Sequence, residues 1–142
     1  MKNLLLISVI ASLIFLSCKN ELVSSAVEVN IYQKGKCMGS GLSKLTSDSC
    51  FSYSFKENLV IDFCVTGNCC PDSNRFITSN NISNDTIKIF IKDVAPNLCR
   101  CTCKYLIHGE FSNLTSKELV INCYQWDGAK QQILYIQRVK RF

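Results

Sequence analysis

Apolar and polar residues alternate along most of the chain after residue 26, and this two-residue period is the feature that most constrains the fold. The clearest case is the pair of segments 119–126 and 129–139, which alternate on either side of Asp127 and Gly128. Successive side chains of a strand point to opposite faces, so alternation predicts half-buried strands. Because Asp-Gly suits the tight turn of a hairpin, the sequence predicts a final β-hairpin here.

The same alternation predicts seven or eight short strands in all and no convincing helix. The other segments that alternate clearly are residues 27–33, 51–55, 59–65, 87–91 and 98–107. Segments 51–55 and 59–65 flank a short polar turn, so they are predicted to form a second hairpin. The segment from Gly35 to Gly41 is predicted to be a loop. Short strands at roughly ten-residue spacing are typical of an antiparallel β-sandwich. An immunoglobulin-like sandwich or a small barrel is the alternative.

The first 18 residues have the layout of an export signal. Lys2 precedes an almost wholly apolar run from Leu4 to Ser17, which is shorter than the roughly 20 residues that a transmembrane helix needs. The cysteine that follows, Cys18, resembles the modified residue of the lipobox in bacterial lipoproteins. That resemblance implies cleavage after Ser17 and a lipid on the Cys18 thiol, so the chain divides into a lipoprotein signal peptide (1–17), a lipidated tether (18–26) and a single β-rich domain (27–142).

The lipobox resemblance also predicts where the domain is located. Lys19, rather than Asp, follows the lipidated cysteine, which by resemblance to proteobacterial sorting favours the outer membrane. The expected partner is therefore a membrane, contacted through the N-terminal lipid. Secretion after cleavage at Ala26 is the alternative. The net charge of +5 falls to +4 when Lys2 leaves with the signal, and no aromatic residues are interleaved with the basic tail at 138–141, so no nucleic-acid partner is predicted.

Nine cysteines follow Cys18, and this density in an exported chain indicates a disulfide framework. Adjacent Cα atoms are about 3.8 Å apart and alternate ones in a strand about 6.6 Å apart, so neither Cys69-Cys70 nor the Cys-x-Cys-x-Cys strand is expected to pair internally. Two bridges between loop 69–70 and strand 99–103 are predicted instead. Cys37–Cys50 and a bridge from Cys64 to the third strand cysteine would complete the set, with Cys123 left as a free thiol packed in the core. The disulfide candidates are thus Cys37, Cys50, Cys64, Cys69, Cys70, Cys99, Cys101 and Cys103.

Metal binding is the alternative use of the sulfur atoms. Thiolates are ligands for zinc and copper(I), and the candidate ligands are Cys69, Cys70, Cys99, Cys101 and Cys103. Zinc sites usually space paired ligands two to four residues apart in a turn, and an oxidising compartment favours disulfides. Disulfides are therefore the preferred interpretation.

Two cysteine motifs also resemble a known group of proteins. Asn68-Cys69-Cys70, then Pro96 to Tyr105 with its Cys-x-Cys-x-Cys, and then a final hairpin are similar to small lipoproteins of Bacteroidota that have a CC loop and a CxCxC strand. The resemblance covers about residues 64–139. It implies a β-rich fold and an outer-membrane location, and it brings no known activity.

No arrangement of residues predicts catalysis or a cofactor. The one histidine, His108, is an odd number of residues from the strand cysteines, which places it on the opposite face, and it is expected in an exposed loop. Tyr124 and Trp126 share a face and would suit a sugar- or protein-binding stripe, although packing in the core is the preferred interpretation. The predicted function is a non-enzymatic, lipid-anchored envelope domain acting as a structural or binding module, with an envelope protein or glycan as partner. The alternative is a periplasmic protein that handles zinc or copper.

Overall fold

A computed structural model describes residues 26–38, 50–70, 75–96, 99–126 and 129–142. Within these ranges the chain is all-β, with eight strands and no helix, and no helix among the described residues is long and apolar enough to cross a membrane. The leader, Cys18 and the Asp127-Gly128 turn lie outside the described residues. The strands are β1 (Glu28–Met38), β2 (Phe51–Phe55), β3 (Leu59–Asn68), β4 (Phe76–Ser83), β5 (Thr86–Asp93), β6 (Thr102–Ser112), β7 (Glu118–Trp126) and β8 (Gln131–Lys140).

The strands form two separate four-stranded sheets that pack face to face, so the predicted disulfide-stabilised β-sandwich is confirmed. Sheet A has the order β1-β6-β3-β2 and sheet B the order β4-β5-β7-β8. Every neighbouring pair is antiparallel except β5 and β7, which are parallel. The parallel pair arises because the chain leaves sheet B after β5, adds β6 to sheet A, and then returns to run beside β5 in the same direction.

Both predicted hairpins are present, and the register of the first is regular. β2 pairs with β3 from Phe51 opposite Phe63 to Phe55 opposite Leu59, and β7 pairs with β8 with one irregularity after Cys123. A third hairpin joins β4 to β5. Its turn contains Asn84 with a φ of 50°, a left-handed conformation that asparagine tolerates better than most residues.

The core lies between the two sheets and is made by one alternating set of residues from each strand. Most of its largest fully buried members are aromatic or β-branched residues, which pack well on pleated surfaces. Sheet A contributes Phe55, Leu59, Ile61, Phe63, Tyr105, Ile107 and Phe111, and sheet B contributes Ile87, Ile89, Ile91, Leu119, Ile121 and Val139, all with at most 1% of their surface exposed. The opposite set on each strand faces outward and is available for contacts with other molecules.

Two local predictions were wrong. β1 continues past Gly35 to Met38 instead of ending in a loop, because Gly35 has a φ of 81° and absorbs an irregularity in the pairing with β6; residues 39–49 lie outside the described ranges. β6 begins only at Thr102. Cys99 and Cys101 therefore precede the strand, and the three sulfurs of the CxCxC motif do not share one flat strand face.

Candidate functional site

Two neighbouring disulfide bridges close one end of the sandwich, as the sequence predicted. Cys69 is bonded to Cys101 and Cys70 to Cys99, each with its Cα atoms 5.4 Å apart. The side chain of Asn68 completes the closure, since its Oδ1 accepts hydrogen bonds from the backbone N–H groups of Cys70 (3.1 Å) and Cys99 (2.7 Å). The CC loop is thus fixed to the segment before β6 by two disulfides and by hydrogen bonds from Cys99 N–H to Asn68 Oδ1, from Asn68 Nδ2 to Cys99 O and from Cys69 N–H to Cys101 O.

The other two predicted bridges were wrong. Cys37 is bonded to Cys103, and Cys50 is bonded to Cys64. Cys50 immediately precedes β2, where the antiparallel register continued by one residue places it opposite Cys64. Cys103 lies on β6, which is the neighbour of β1 and of its residue Cys37. Strand neighbours therefore decide these pairs, and sequence spacing does not show which strands are neighbours.

The remaining cysteine, Cys123, is the free thiol that the sequence predicted. It is 0% exposed and packs in the core between the sheets. Burial raises the pKa of the Cys123 thiol to about 12, so the group is protonated and unreactive at neutral pH.

The five cysteines proposed as metal ligands are all disulfide-bonded in this structure. They are Cys69, Cys70, Cys99, Cys101 and Cys103. A disulfide sulfur has no thiolate charge to offer a metal ion. No group of three or more His, Cys, Asp or Glu side chains within the described ranges is placed to hold a metal ion.

Arg75 ties both sheets to the CC loop from inside the molecule. Its Nε and Nη2 donate to the carboxylate of Asp93 at 2.7–3.1 Å. Its Nη1 donates to the backbone oxygens of Asn68 and Cys70 and to the hydroxyl of Tyr105 (2.9 Å). Burial lowers the pKa of the Arg75 guanidinium, but its hydrogen bonds to Asp93 and Tyr105 and the Asp93 charge more than offset this, so the net shift is upward. The group is therefore a permanently charged structural element.

The outer surface of sheet B carries a different and more informative arrangement. The pairing of β4, β5, β7 and β8 places its side chains in three cross-strand rows, which we call the aromatic face. The first row contains Ile77, Lys92, Trp126 and Gln131; the second contains Ser79, Phe90, Tyr124 and Ile133; the third contains Asn81, Lys88, Asn122 and Ile136. These rows face outward because the intervening residues on each strand fill the core.

Tyr124 and Trp126 lie on this face, so the prediction that they pack in the core was wrong. Trp126 is 42% exposed. The ring of Tyr124 is stacked against Phe90 of the neighbouring strand, with centroids 5.1 Å apart and planes 13° from parallel. Both faces of β7 are rich in apolar residues, and Cys123 and Ile121 take the inward one. Three aromatic rings therefore line the outside of sheet B.

A shallow cleft of about 230 Å³ runs along the first two rows. Its lining is mostly apolar, with Ile77, Phe90, Tyr124 and Trp126 beside the polar groups of Lys92 and Gln131. This volume is below the roughly 300–1,000 Å³ of sites for drug-sized ligands. The cleft therefore fits a small flat group, with ring surfaces on one side and hydrogen-bonding groups at its edge.

Sequence reasoning missed Phe90 and its two flanking lysines. In β5 the isoleucines at 87, 89 and 91 are buried, while Lys88, Phe90 and Lys92 occupy the other face. A large aromatic residue that alternates with lysines on the polar face of a strand is the signal that could have identified this site. Such a residue lies outside the core and forms part of the outer surface of the sheet.

The outer face of sheet A carries a smaller polar cluster. His108 is in β6 and not in an exposed loop as predicted; its Nδ1 is 2.8 Å from Oδ1 of Asp62 on β3, and its side chain is 14% exposed. The ring of Tyr32 on β1 lies 5.2 Å away, centroid to centroid. The opposite-face prediction for His108 holds. No cysteine thiol lies beside the pair within the described ranges, since every cysteine near this sheet is disulfide-bonded.

The predicted residues thus lie in different parts of the molecule. Eight cysteines form the bridges, Cys123 lies in the core, Tyr124 and Trp126 lie on the aromatic face, and Cys18 is outside the described residues. Comparisons of the chain with protein-family models, with curated proteins and with solved structures found no match.

Proposed function

We propose that this chain is a lipid-anchored, non-enzymatic binding module of the cell envelope, and that its aromatic face binds glycans. The observation that supports this is the cluster of Phe90, Tyr124 and Trp126 on the outside of sheet B, where Trp126 is 42% exposed and the stacked rings of Phe90 and Tyr124 are half-buried. Exposed apolar patches with a polar rim are typical of interaction sites. The envelope location comes from the lipobox at Cys18.

A glycan suits the chemistry of this face. One side of a pyranose ring is lined with C–H bonds and packs against aromatic rings, whereas its hydroxyl groups need hydrogen-bond partners around the rim. Trp126 and Tyr124 offer ring surface, and Lys92 and Gln131 at the edge of the same cleft offer donors and an acceptor. The small volume of the cleft matches one or two sugar units of a longer chain.

A protein partner suits it less well. The cores of protein–protein interfaces are depleted of lysine, yet lysines alternate with the central aromatic residue of β5. Stable protein interfaces also bury about 800 Å² on each partner. The central rows of the aromatic face are instead a narrow strip whose apolar groups are separated by charged ones.

Sheet A, which packs against the inner side of sheet B, is cross-linked by the four disulfides. Binding sites are most effective when the scaffold holds their side chains in place before the ligand arrives. The buried Arg75 joins this cross-linked sheet to Asp93 on β5, the strand that carries Phe90.

Binding is tested with the mature protein purified in detergent, by affinity electrophoresis through gels that contain neutral or acidic polysaccharides. We expect at least one polysaccharide to retard the protein and Trp126→Ala to weaken its affinity by about 2- to 12-fold, which is the worth of one aromatic contact. The matched control is Tyr32→Ala, because Tyr32 is a similarly exposed ring (44%) on the opposite sheet. No retardation by any polysaccharide, or an equal loss in both variants, would contradict the proposal.

The anchor is tested separately by growing cells with radiolabelled palmitate. Label in the wild-type protein and none in Cys18→Ala is the expected result. Label that persists in Cys18→Ala would show that the lipid, if any, is attached elsewhere.

A further inference from the structure

We infer that the glycan bound at the aromatic face is anionic, with carboxylate, sulfate or phosphate groups along its chain. This inference rests on the proposed function and names the ligand class of the same site. It is drawn from the charges that surround the rings.

Two lysines flank the central ring on its own strand. Lys88 and Lys92 lie two residues before and two residues after Phe90, and all three project from the outer face of β5. At about 3.3 Å per residue, their Cα atoms are roughly 13 Å apart. Both lysines are exposed, and neither takes part in a salt bridge among the described residues. Their charges are therefore available to a ligand that lies along the rings.

Negative charge is absent from the described part of the aromatic face. None of the twelve residues in its three rows is acidic. The described acidic residues of sheet B and its turns are all engaged: Asp93 points inward and is bound by Arg75, Glu118 lies beyond the third row and pairs with Arg138 at 3.2 Å, and Asp85 accepts a hydrogen bond from Ser116 at 2.6 Å. The described surface beside the rings is consequently cationic.

A cationic surface with rings between the charges selects an acidic polymer with apolar ring faces. The sugar rings pack on Phe90, Tyr124 and Trp126 while the acidic groups along the polymer meet the lysines. Lysine is a point charge that does not require the planar geometry of a carboxylate, so the three acidic groups are equivalent to it. Ion pairs at such exposed positions are weakened by salt because the Debye length falls from about 10 Å at 0.1 M to 3 Å at 1 M.

The test compares acidic polysaccharides with the same polymers after their charge has been removed. Polygalacturonate, alginate and hyaluronate are used as probes, each beside its methyl-esterified form, with affinity measured at 50 mM and at 500 mM salt. We expect at least one acidic form to bind more tightly than its ester and to lose that advantage at the higher salt. The double variant Lys88→Gln/Lys92→Gln should weaken binding of the acidic form by about 2- to 30-fold. Lys88→Gln alone, which lies outside the cleft lining, should weaken binding of the acidic form and leave the ester unaffected.

The matched control is Lys34→Gln/Lys104→Gln, which removes the same charge from exposed lysines of sheet A and should change nothing. If an ester binds as tightly as its acidic form and Lys88→Gln/Lys92→Gln has no effect, while Trp126→Ala still weakens binding, the anionic inference is overturned and glycan binding stands. If no polysaccharide binds but vesicles with 30% phosphatidylglycerol do, both are overturned in favour of a membrane surface.

Discussion

Removal of the guanidinium of Arg75 is expected to destabilise the domain more than any surface change. The side chain is 0% exposed, and it holds the carboxylate of Asp93, two backbone oxygens of the CC loop and the hydroxyl of Tyr105. Arg75→Leu leaves the apolar volume largely filled but abolishes all of these contacts. The loss should propagate to both sheets, because β5 and β6 supply Asp93 and Tyr105.

The magnitude follows from what each change leaves behind. Breaking a buried ion pair by removing one partner costs about 3–5 kcal/mol, because an uncompensated charge remains in the interior. Arg75→Leu should lie near 3 kcal/mol, since the abandoned Asp93 is 23% exposed and still accepts from the backbone N–H of Ala95 at 3.1 Å. Asp93→Asn should lie higher, at about 4 kcal/mol, because the charge left behind belongs to the fully buried Arg75. At roughly 3–5 °C per kcal/mol for a domain of this size, the melting temperature should fall by about 10–20 °C.

The assay is urea unfolding of the oxidised protein, followed by far-UV circular dichroism and by Trp126 fluorescence. The double variant Arg75→Leu/Asp93→Asn should cost clearly less than the sum of the single changes, since no charge is then left unpaired. Arg138→Leu is the control: its ion pair with Glu118 is 74% and 46% exposed, so its loss should be barely measurable. Single changes at the buried pair that each cost below about 1 kcal/mol, or that add without coupling, would refute the argument.

Three further predictions concern the core and the bridges. The Cys123 thiol should resist iodoacetamide at pH 8 in the native protein, and it should react once in urea without reductant. Its folded pKa of about 12 lies above the roughly 8.5 of an unfolded thiol. The free energy of unfolding should therefore also fall as the pH rises above about 9, and this loss should be missing in Cys123→Ala. Gly67→Ala should cost about 1–3 kcal/mol in urea unfolding, because the added methyl would lie 3.0–3.2 Å from Phe76, Asp93 and Tyr105 at once; Gly35→Ala, which meets no atom within 4 Å, separates crowding from backbone strain. Removing both the 70–99 and the 69–101 bridge by cysteine-to-alanine changes should cost about 3.6 kcal/mol of stability. Removing the 70–99 bridge alone should cost much less, because the 69–101 bridge still closes the same loop of roughly 30 residues.

More of the fold than of the contacts within it could be predicted from the sequence. Alternation is a local property, so it correctly predicts the hairpins β2–β3 and β7–β8, whose strands are joined by short turns. Which hairpin joins which sheet depends on packing between distant segments. The parallel pairing of β5 with β7 is an example, because the 24 residues between Asp93 and Glu118 contain β6 of the other sheet. The wrong partners for Cys37 and Cys64 have the same origin.

The candidate site shows a second limit of alternation. A two-residue period divides a strand into two faces but does not say which face is inward when both are apolar. In β7 one face has Leu119, Ile121 and Cys123, and the other has Tyr124 and Trp126. The prediction that Tyr124 and Trp126 pack in the core fails because the interior of the sandwich is already filled by the aromatic residues of sheet A. β5 resolves the ambiguity, since its lysines cannot face a core that is closed by isoleucines.

The arrangement of the bridges and the aromatic face on different parts of the molecule has a functional consequence. All four cysteines of the Cys69–Cys101 and Cys70–Cys99 bridges lie at the end of the sandwich where β3 ends and β6 begins. Arg75 connects that end to Asp93 at the last position of β5. Lys92 is the neighbour of Asp93, and it pairs across the sheet with Trp126. Lys92 of the first row of the aromatic face is therefore the chain neighbour of Asp93, which Arg75 binds to the cross-linked end of the domain. A loss of the Arg75 contact should consequently weaken the proposed glycan binding at temperatures where the domain is still folded, whereas the loss of the Cys50–Cys64 bridge, which joins the start of β2 to β3, should lower stability alone.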